Sequence, residues 1–117
     1  MGYQPVLNVT LKANAELEPK RFVTGAGTYA PSGGTAYGVT IHAADKDELT
    51  TIVVMGIAEV EAQEPINPGD FVTPGEDGKA RVANSGEWIV GVALTSASGA
   101  GDVVEVLLKS FGTMPTT

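Results

Sequence analysis

The pattern of hydrophobic and polar positions predicts short β-strands along the whole chain. Leu7, Val9 and Leu11 alternate with polar side chains, which is typical of a strand with one face in water. Other β-branched stretches, bounded by glycine and proline, predict strands at 51–62, 80–83, 88–94 and 103–108. No stretch repeats its apolar residues with the period of a helix, apart from at most one turn at 43–49. The predicted class is therefore all-β.

An internal repeat divides the chain into two similar units. Three pairs of segments align: 17–24 with 66–73 at an offset of 49, 38–41 with 91–94 at 53, and 51–54 with 102–105 at 51. A unit of about 50 residues cannot bury both faces of its own sheet. The two units are therefore expected to form one small antiparallel β-barrel or sandwich. The alignment also predicts that Phe22 and Phe71 are equivalent core positions.

The predicted organisation has an extended N-terminal arm and one β domain. The arm covers residues 1–14, the domain covers 15–110 with quasi-repeats at about 15–57 and 64–109, and a C-terminal tail covers 111–117. The first 40 residues carry three basic and two acidic side chains, whereas the remaining residues carry four and twelve. A nearly neutral N-terminal part therefore precedes an acidic body.

Composition argues against several classes of binding partner and site. The 117 residues carry a net charge of −7, which argues against nucleic acid or an anionic membrane, because both attract basic surfaces. The absence of cysteine excludes disulfides and thiolate chemistry. No signal peptide is expected, because the start at residues 1–5 lacks a basic n-region and an apolar h-region. No membrane span is expected either, since the longest apolar run, 52–58, is far shorter than the ~20 residues of a span.

Few side chains are candidates for catalysis or metal binding. His42 is the only histidine, and its repeat counterpart is Thr95, so a solvent-facing strand position is expected. The acidic cluster at 45–48 lacks the glycine and glutamate spacing of a calcium loop. Glu59 and Glu61 share one face of a predicted strand, and a solvated sheet face explains them. No catalytic residue and no metal site is therefore predicted.

A glycine-rich segment resembles a dinucleotide-binding fingerprint only formally. Residues 25–30 fit the spacing, but the fingerprint requires a helix that begins there and presents its N-terminus to phosphate. Residues 31–34, Pro-Ser-Gly-Gly, do not permit that helix. Residues 25–36 are expected to be a flexible or partner-ordered loop, and no cofactor is predicted.

Aromatic side chains are the best candidates for contacts with another protein. Tyr37 and Trp88 are interpreted either as buried residues that close the barrel ends or as a subunit contact, since both types are favoured at interfaces. Tyr3 and Phe111 lie near the termini, where little core is available to them. Together with apolar arm residues, the predicted contact residues are Tyr3, Pro5, Leu7, Val9, Leu11, Tyr37, Trp88 and Phe111.

The succession of motifs resembles the capsid decoration, or cement, proteins of tailed bacteriophages. The motifs are GIAEVEA at 56–62, INPGDFV at 66–72, DGKA at 77–80, IVGVAL at 89–94 and GDVVEVLL at 101–108. Their order and spacing resemble the family over roughly residues 8–109. The segment 37–39 and the long loop 25–36 are less typical of the family.

The resemblance implies a non-enzymatic structural protein of the virion. Such proteins commonly assemble as trimers on the outer surface of the expanded head and clamp neighbouring subunits of the major capsid protein. The expected partners are therefore the major capsid protein and two further copies of this chain. The expected function is to stabilise the capsid lattice against the pressure of packaged DNA.

The arm has a specific expected role in that function. It is expected to be mobile in the free protein and to add a strand to an exposed sheet edge of the capsid or of a neighbouring subunit. Leu7, Val9 and Leu11 would form its inward row.

Two other binding functions are consistent with the composition. A lipoyl- or biotinyl-type carrier domain is also acidic and built from two β units, and Lys46 lies roughly where its modified lysine would stand. A carbohydrate-binding β domain requires several aromatics on one face, whereas the seven in this chain are spread along the sequence.

Overall fold

The part of the chain that the structure describes contains eight β-strands, in agreement with the all-β prediction. The computed structural model describes residues 4–115, with Gln4 and Pro5 described by their backbone, so the predicted contact residue Tyr3 lies outside the described residues. The elements are β1 (Gln4–Lys12), β2 (Phe22–Val23), β3 (Gly38–Thr40), β4 (Leu49–Glu61), β5 (Phe71–Pro74), a 3-10 turn (Glu76–Gly78), β6 (Ala80–Val82), β7 (Trp88–Ala93) and β8 (Val103–Thr113).

The strands form one nearly closed, barrel-like antiparallel sheet. Its order is β2-β3-β4-β8-β7-β5-β6, and β1 pairs with β4 outside this path. The thirteen-residue strand β4 connects the two halves. Its residues 49–57 pair with β1, and its residues 56–61 pair with β8. Because β4 belongs to both halves, neither half has an independent sheet.

The same pattern of backbone pairing occurs in both halves of the chain. Phe22 pairs with Val39 in the first half, and Phe71 pairs with Val92 in the second. Isolated bridges repeat at the same offsets of 49 and 53, since Leu17–Ala44 corresponds to Ile66–Ala97. Two quasi-repeated units are therefore present, a first unit at residues 4–55 and a second unit at residues 56–113.

The third predicted offset differs from the one in the structure. Val39 pairs with Val53, whereas Val92 pairs with Leu107, so these strands correspond at an offset of 54 and not 51. A shift of three residues matters because side chains on a strand alternate between two faces. Where valines are consecutive, sequence similarity alone does not determine which face of the sheet a side chain occupies. The cross-strand pairing determines it.

The extended N-terminal arm is not confirmed. Residues 4–12 form β1, which pairs with β4 from Gln4–Ile57 to Lys12–Leu49. Its counterpart in the repeat is the second half of β4, because Glu61–Val103 occupies the place of Lys12–Leu49. The first unit therefore begins with β1, and these residues are paired in the sheet where a separate arm was expected.

Two buried clusters form the interior. The main core contains residues of both units: Phe22, Ala30, Val39, Val53, Ala58, Val60, Ala62, Ile66, Val72, Ala80, Ala93, Ala97, Val104 and Val106. The small core lies within the first unit and contains Ala13, Leu17, Val23, Ala44 and Ile52. Neighbours on one strand, such as Ile52 and Val53, belong to different cores. The first unit's sheet is therefore covered on both faces.

The second unit's sheet is covered on one face only. Phe22 is completely buried, but Phe71, its equivalent, is 39% exposed and packs its ring against Phe111 at 5.4 Å. The prediction that Phe71 is a core position is wrong. The reason is tertiary, because the second unit covers the face that carries Phe22 and nothing in the described chain covers the corresponding face of the second unit.

Alanine substitutions at Phe22 and at Phe71 should lower the free energy of unfolding to different extents. Phe22→Ala should lower the free energy of unfolding by about 3–5 kcal/mol, because it leaves a cavity in the main core. Phe71→Ala should cost less than about 2 kcal/mol, since its ring is already partly in water. Urea unfolding monitored by Trp88 fluorescence measures both. Equal losses would contradict the difference in burial.

Candidate functional site

A groove with a volume of about 360 Å³ lies where the two units meet. The first unit contributes the segment 35–38 and β4 residues Val54 and Met55, and the second unit contributes residues 88–90 and 108–110. The lining is mainly apolar, and Lys109 is its charged residue. Because both units supply its walls, the groove exists only in the assembled fold.

Two predicted contact residues line this groove together. Tyr37 is 49% exposed and Trp88 is 41% exposed, so neither is a buried residue that closes a barrel end. Met55, a third residue of the lining, is also exposed. Tyr and Trp that combine an accessible ring with a polar group are typical anchors of protein interfaces.

Backbone hydrogen bonds position the two aromatic residues. The Tyr37 N–H donates to the carbonyl of Val23 (2.8 Å), and the Trp88 N–H donates to the carbonyl of Gly33 (3.0 Å). Gly38 follows Tyr37 and lies so close to β4 that a Cβ there would collide with the Val53 carbonyl oxygen. The glycine therefore permits the close approach that places Tyr37 at the groove.

A half-buried ion pair holds the loop that forms one groove wall. The Arg81 guanidinium donates two hydrogen bonds to Glu87, at 2.6 and 2.7 Å, and a third to the hydroxyl of Ser32 at 3.1 Å. The hydrogen bond from Arg81 lowers the pKa of Glu87 to about 2, and the same bond raises the pKa of Arg81. Residues 25–36, expected to be a flexible or partner-ordered loop, are thus tied to the second unit next to Trp88 through Ser32 and Gly33.

Glu59 and Glu61 join the units through ion pairs. Glu61 contacts Arg21 at 3.2 Å and Lys79 at 3.9 Å, and Glu59 contacts Lys20 at 3.7 Å. The pairs of Glu59 with Lys20 and of Glu61 with Arg21 link the second half of β4 to the first unit.

The other candidates for chemistry are separate surface features. His42 is exposed in the connection after β3, so it faces solvent but lies outside a strand. In the acidic cluster, Glu48 accepts a hydrogen bond from the N–H of Asp45, which closes a local turn. Among residues 4–115, no group of three His, Asp or Glu side chains could hold a metal ion. Within the same residues, no helix is long and apolar enough to cross a membrane.

The remaining predicted contact residues lie elsewhere on the surface. Phe111 packs beside Phe71, on the outer face of the second unit. On β1, Val9 and Leu11 are half-buried against the small core, whereas Leu7 is 47% exposed. The difference follows from irregular pairing of β1 with β4 on both sides of Leu7.

Sequence analysis missed the apolar side chains on that outer face. Phe71 and Leu107 are exposed, although the repeat gives them buried equivalents in the first unit. The repeat gave no signal for this exposure, because it assigns Phe71 the same environment as the buried Phe22.

Comparison with known proteins identifies the family. A family model described as phage cement protein matches residues 2–108, which is nearly the whole chain. The chain belongs to this family. The cement protein is therefore a structural protein associated with the phage capsid. A search of curated proteins found no matching relative.

A solved structure shares the fold of this cement protein. The crystal structure of the head fiber gp8.5 N base in bacteriophage phi29 superposes with a TM-score of 0.72 at 22% sequence identity. The match covers 88% of this chain and 93% of that chain. At this identity, the likeness supports the fold.

The Arg81–Glu87 pair should make stability depend on pH. The Glu87 pKa lies near 2 in the folded state and near 4.5 otherwise, so its stabilising contribution is complete above about pH 4.5 and declines as pH falls towards 2. Glu87→Gln should therefore lower the free energy of unfolding more at pH 7 than at pH 3, as measured by urea unfolding. Glu16→Gln, at an exposed position, is the control. A gap between wild type and Glu87→Gln that stays constant with pH would contradict this assignment.

Proposed function

We propose that this cement protein binds the outer surface of the assembled phage head as a homotrimer and stabilises the lattice against the pressure of packaged DNA. The observation that carries the proposal is the groove between the units, where Tyr37 and Trp88 are exposed in a chain of the cement family. We assign the groove to an apolar segment of the major capsid protein.

The groove has the features of a protein contact. Its apolar lining and accessible aromatic rings favour burial by another apolar surface. Its rigid support also favours binding, because Trp88 and the facing loop are already held by backbone hydrogen bonds and by the Arg81–Glu87 pair. A preformed site loses less conformational entropy on binding than a flexible one.

Lattice stabilisation follows from selective binding. A ligand that binds the assembled shell and not its separated subunits shifts the equilibrium towards the shell. A trimer that contacts several capsid subunits also gains from effective concentration, so that individually weak contacts give strong attachment. The proposed function requires no catalytic residue and no cofactor.

Strand β1 has a different role from that expected of an arm. It is already paired with β4 along one edge, and no strand pairs with its other edge among the described residues. A chain that begins at residue 15 would lack β1, which packs on the small core. A loss of capsid binding by that chain would therefore reflect misfolding and not the loss of a capsid contact. Substitutions at exposed positions are therefore the appropriate test.

A carbohydrate-binding function is the second candidate, because the structure places two exposed aromatic rings at one groove. The carrier function lacks such support. Lys46 lies in the connection between β3 and β4, inside the first unit, whereas a carrier presents its lysine on a hairpin between the units.

Trp88→Ala should weaken binding to emptied, expanded capsids by at least about thirtyfold, as expected for an aromatic interface anchor. Co-sedimentation with capsids measures the affinity. Leu94→Ala is the matched control, because Leu94 has the same 41% exposure and lies outside the groove lining. Trp88→Ala binding at the affinity of the wild type would refute the assigned capsid contact. Failure of wild-type protein to co-sediment, with retention on a glycan array, would favour the carbohydrate-binding function.

A further inference from the structure

The outer face of the second unit carries a row of apolar side chains that cross neighbouring strands. Backbone pairing places Ile57 opposite Leu107, Leu107 opposite Val92, and Val92 opposite Phe71. Phe71 is 39% exposed, Leu107 is 36% exposed, and Val92 is half-buried. We call Phe71, Val92 and Leu107 the outer row.

The equivalents of the outer row in the first unit are completely buried. They are Phe22, Val39 and Val53, each with no exposed surface. They belong to the main core together with Ala58 and Val60, which lie on the second half of β4. Within one chain, the second unit therefore covers the row of the first unit.

The surface that provides this cover also has an equivalent in the first unit. By cross-strand pairing, Ala58 corresponds to Val9 and Val60 corresponds to Leu11 on β1. Val9 and Leu11 are half-buried, and no strand lies beyond the outer edge of β1 in the described chain. Each chain thus has one pair of matched surfaces in contact. In the corresponding pair, Val9 and Leu11 keep part of their surface in water beside the buried small core, and the outer row is exposed or half-buried.

Charges support the same correspondence. Within the chain, Arg21 of the first unit contacts Glu61 of the second at 3.2 Å. Asp70 is the equivalent of Arg21, and Lys12 is the equivalent of Glu61. The two charges are exchanged between the positions, so the equivalent pair is also oppositely charged. The ammonium group of Lys12 is well exposed and has a single distant contact, 3.8 Å to Asp47.

A backbone hydrogen bond between the units can also be repeated. The Glu61 N–H donates to the Lys20 carbonyl at 2.9 Å, and the equivalents are Lys12 on the open edge of β1 and Gly69.

We propose that a second copy of this chain docks head-to-tail, with its outer row on Val9 and Leu11 of the first copy and its Asp70 beside Lys12. The contact repeats between chains the packing that joins the two units within one chain. Such a heterologous contact closes into a ring when its rotation permits. Three chains would place six units around that ring. The contact deepens the homotrimer proposed above and rests on it.

Leu107→Glu tests the outer row in the free full-length protein. Sedimentation equilibrium should show self-association of the wild type and a dissociation constant at least about thirtyfold higher for the variant, because a charge replaces an apolar interface residue. Ala100→Glu is the charge-matched control, since Ala100 is exposed in the connection between β7 and β8 and lies outside both the outer row and β1. Its association should equal that of the wild type. Urea midpoints near the wild-type value show that each variant is folded.

Charge reversal tests the orientation of the contact. Lys12→Glu and Asp70→Lys should each weaken association about fivefold, and the double variant should recover most of the loss. Recovery is specific to a contact in which these two positions face each other. Independent effects of the two substitutions would overturn the head-to-tail geometry.

The outcomes separate this contact from capsid binding. A wild-type protein that stays monomeric at all concentrations, or unchanged association of Leu107→Glu, would overturn the proposed contact. If Leu107→Glu is monomeric and still binds capsids, with only the decrease in affinity that a single attachment site explains, the groove remains the capsid contact. Loss of capsid co-sedimentation by Trp88→Ala with unchanged self-association would assign the two surfaces to different partners, as proposed.

Discussion

Phe22, Val39 and Val53 are completely buried because the second unit covers the sheet that carries them. A repeat of about 50 residues is too small to form a stable core alone, and burial of this face provides the missing apolar contact. The continuous strand β4 and the Arg21–Glu61 ion pair keep the two units in the orientation that this packing requires. The groove follows from that orientation, since its two walls come from different units.

The chain supports contact functions through shape and has little reactive chemistry. Most ionised side chains with resolved contacts hold the fold together, as Arg81 and Glu87 do when they fix the loop next to Trp88. The accessible rings of Tyr37 and Trp88 are consequently presented on a rigid support. Preformed surfaces of this kind suit a structural protein associated with the phage capsid.

Duplication offers a simple physical route to self-assembly. When two similar units pack head-to-tail, one copy of each complementary surface is used internally and the other copy remains at the two ends. In the proposed contact, the exposed outer row and the open edge of β1 are these ends. The same interaction that stabilises one chain can then join several chains, with Lys12 and Asp70 in the places of Glu61 and Arg21.

Local sequence determined the all-β class, the offsets of 49 and 53, and the family resemblance, because alternation and turn residues act over a few neighbouring positions. The exposure of Phe71 and the pairing of β1 were decided by tertiary structure. Phe22 and Phe71 have similar neighbours in sequence, and only the position of the second unit distinguishes their environments. Likewise, the alternation of Leu7, Val9 and Leu11 predicts a strand, but the partner of that strand lies about 40 residues away on β4 and is selected by packing of the whole sheet.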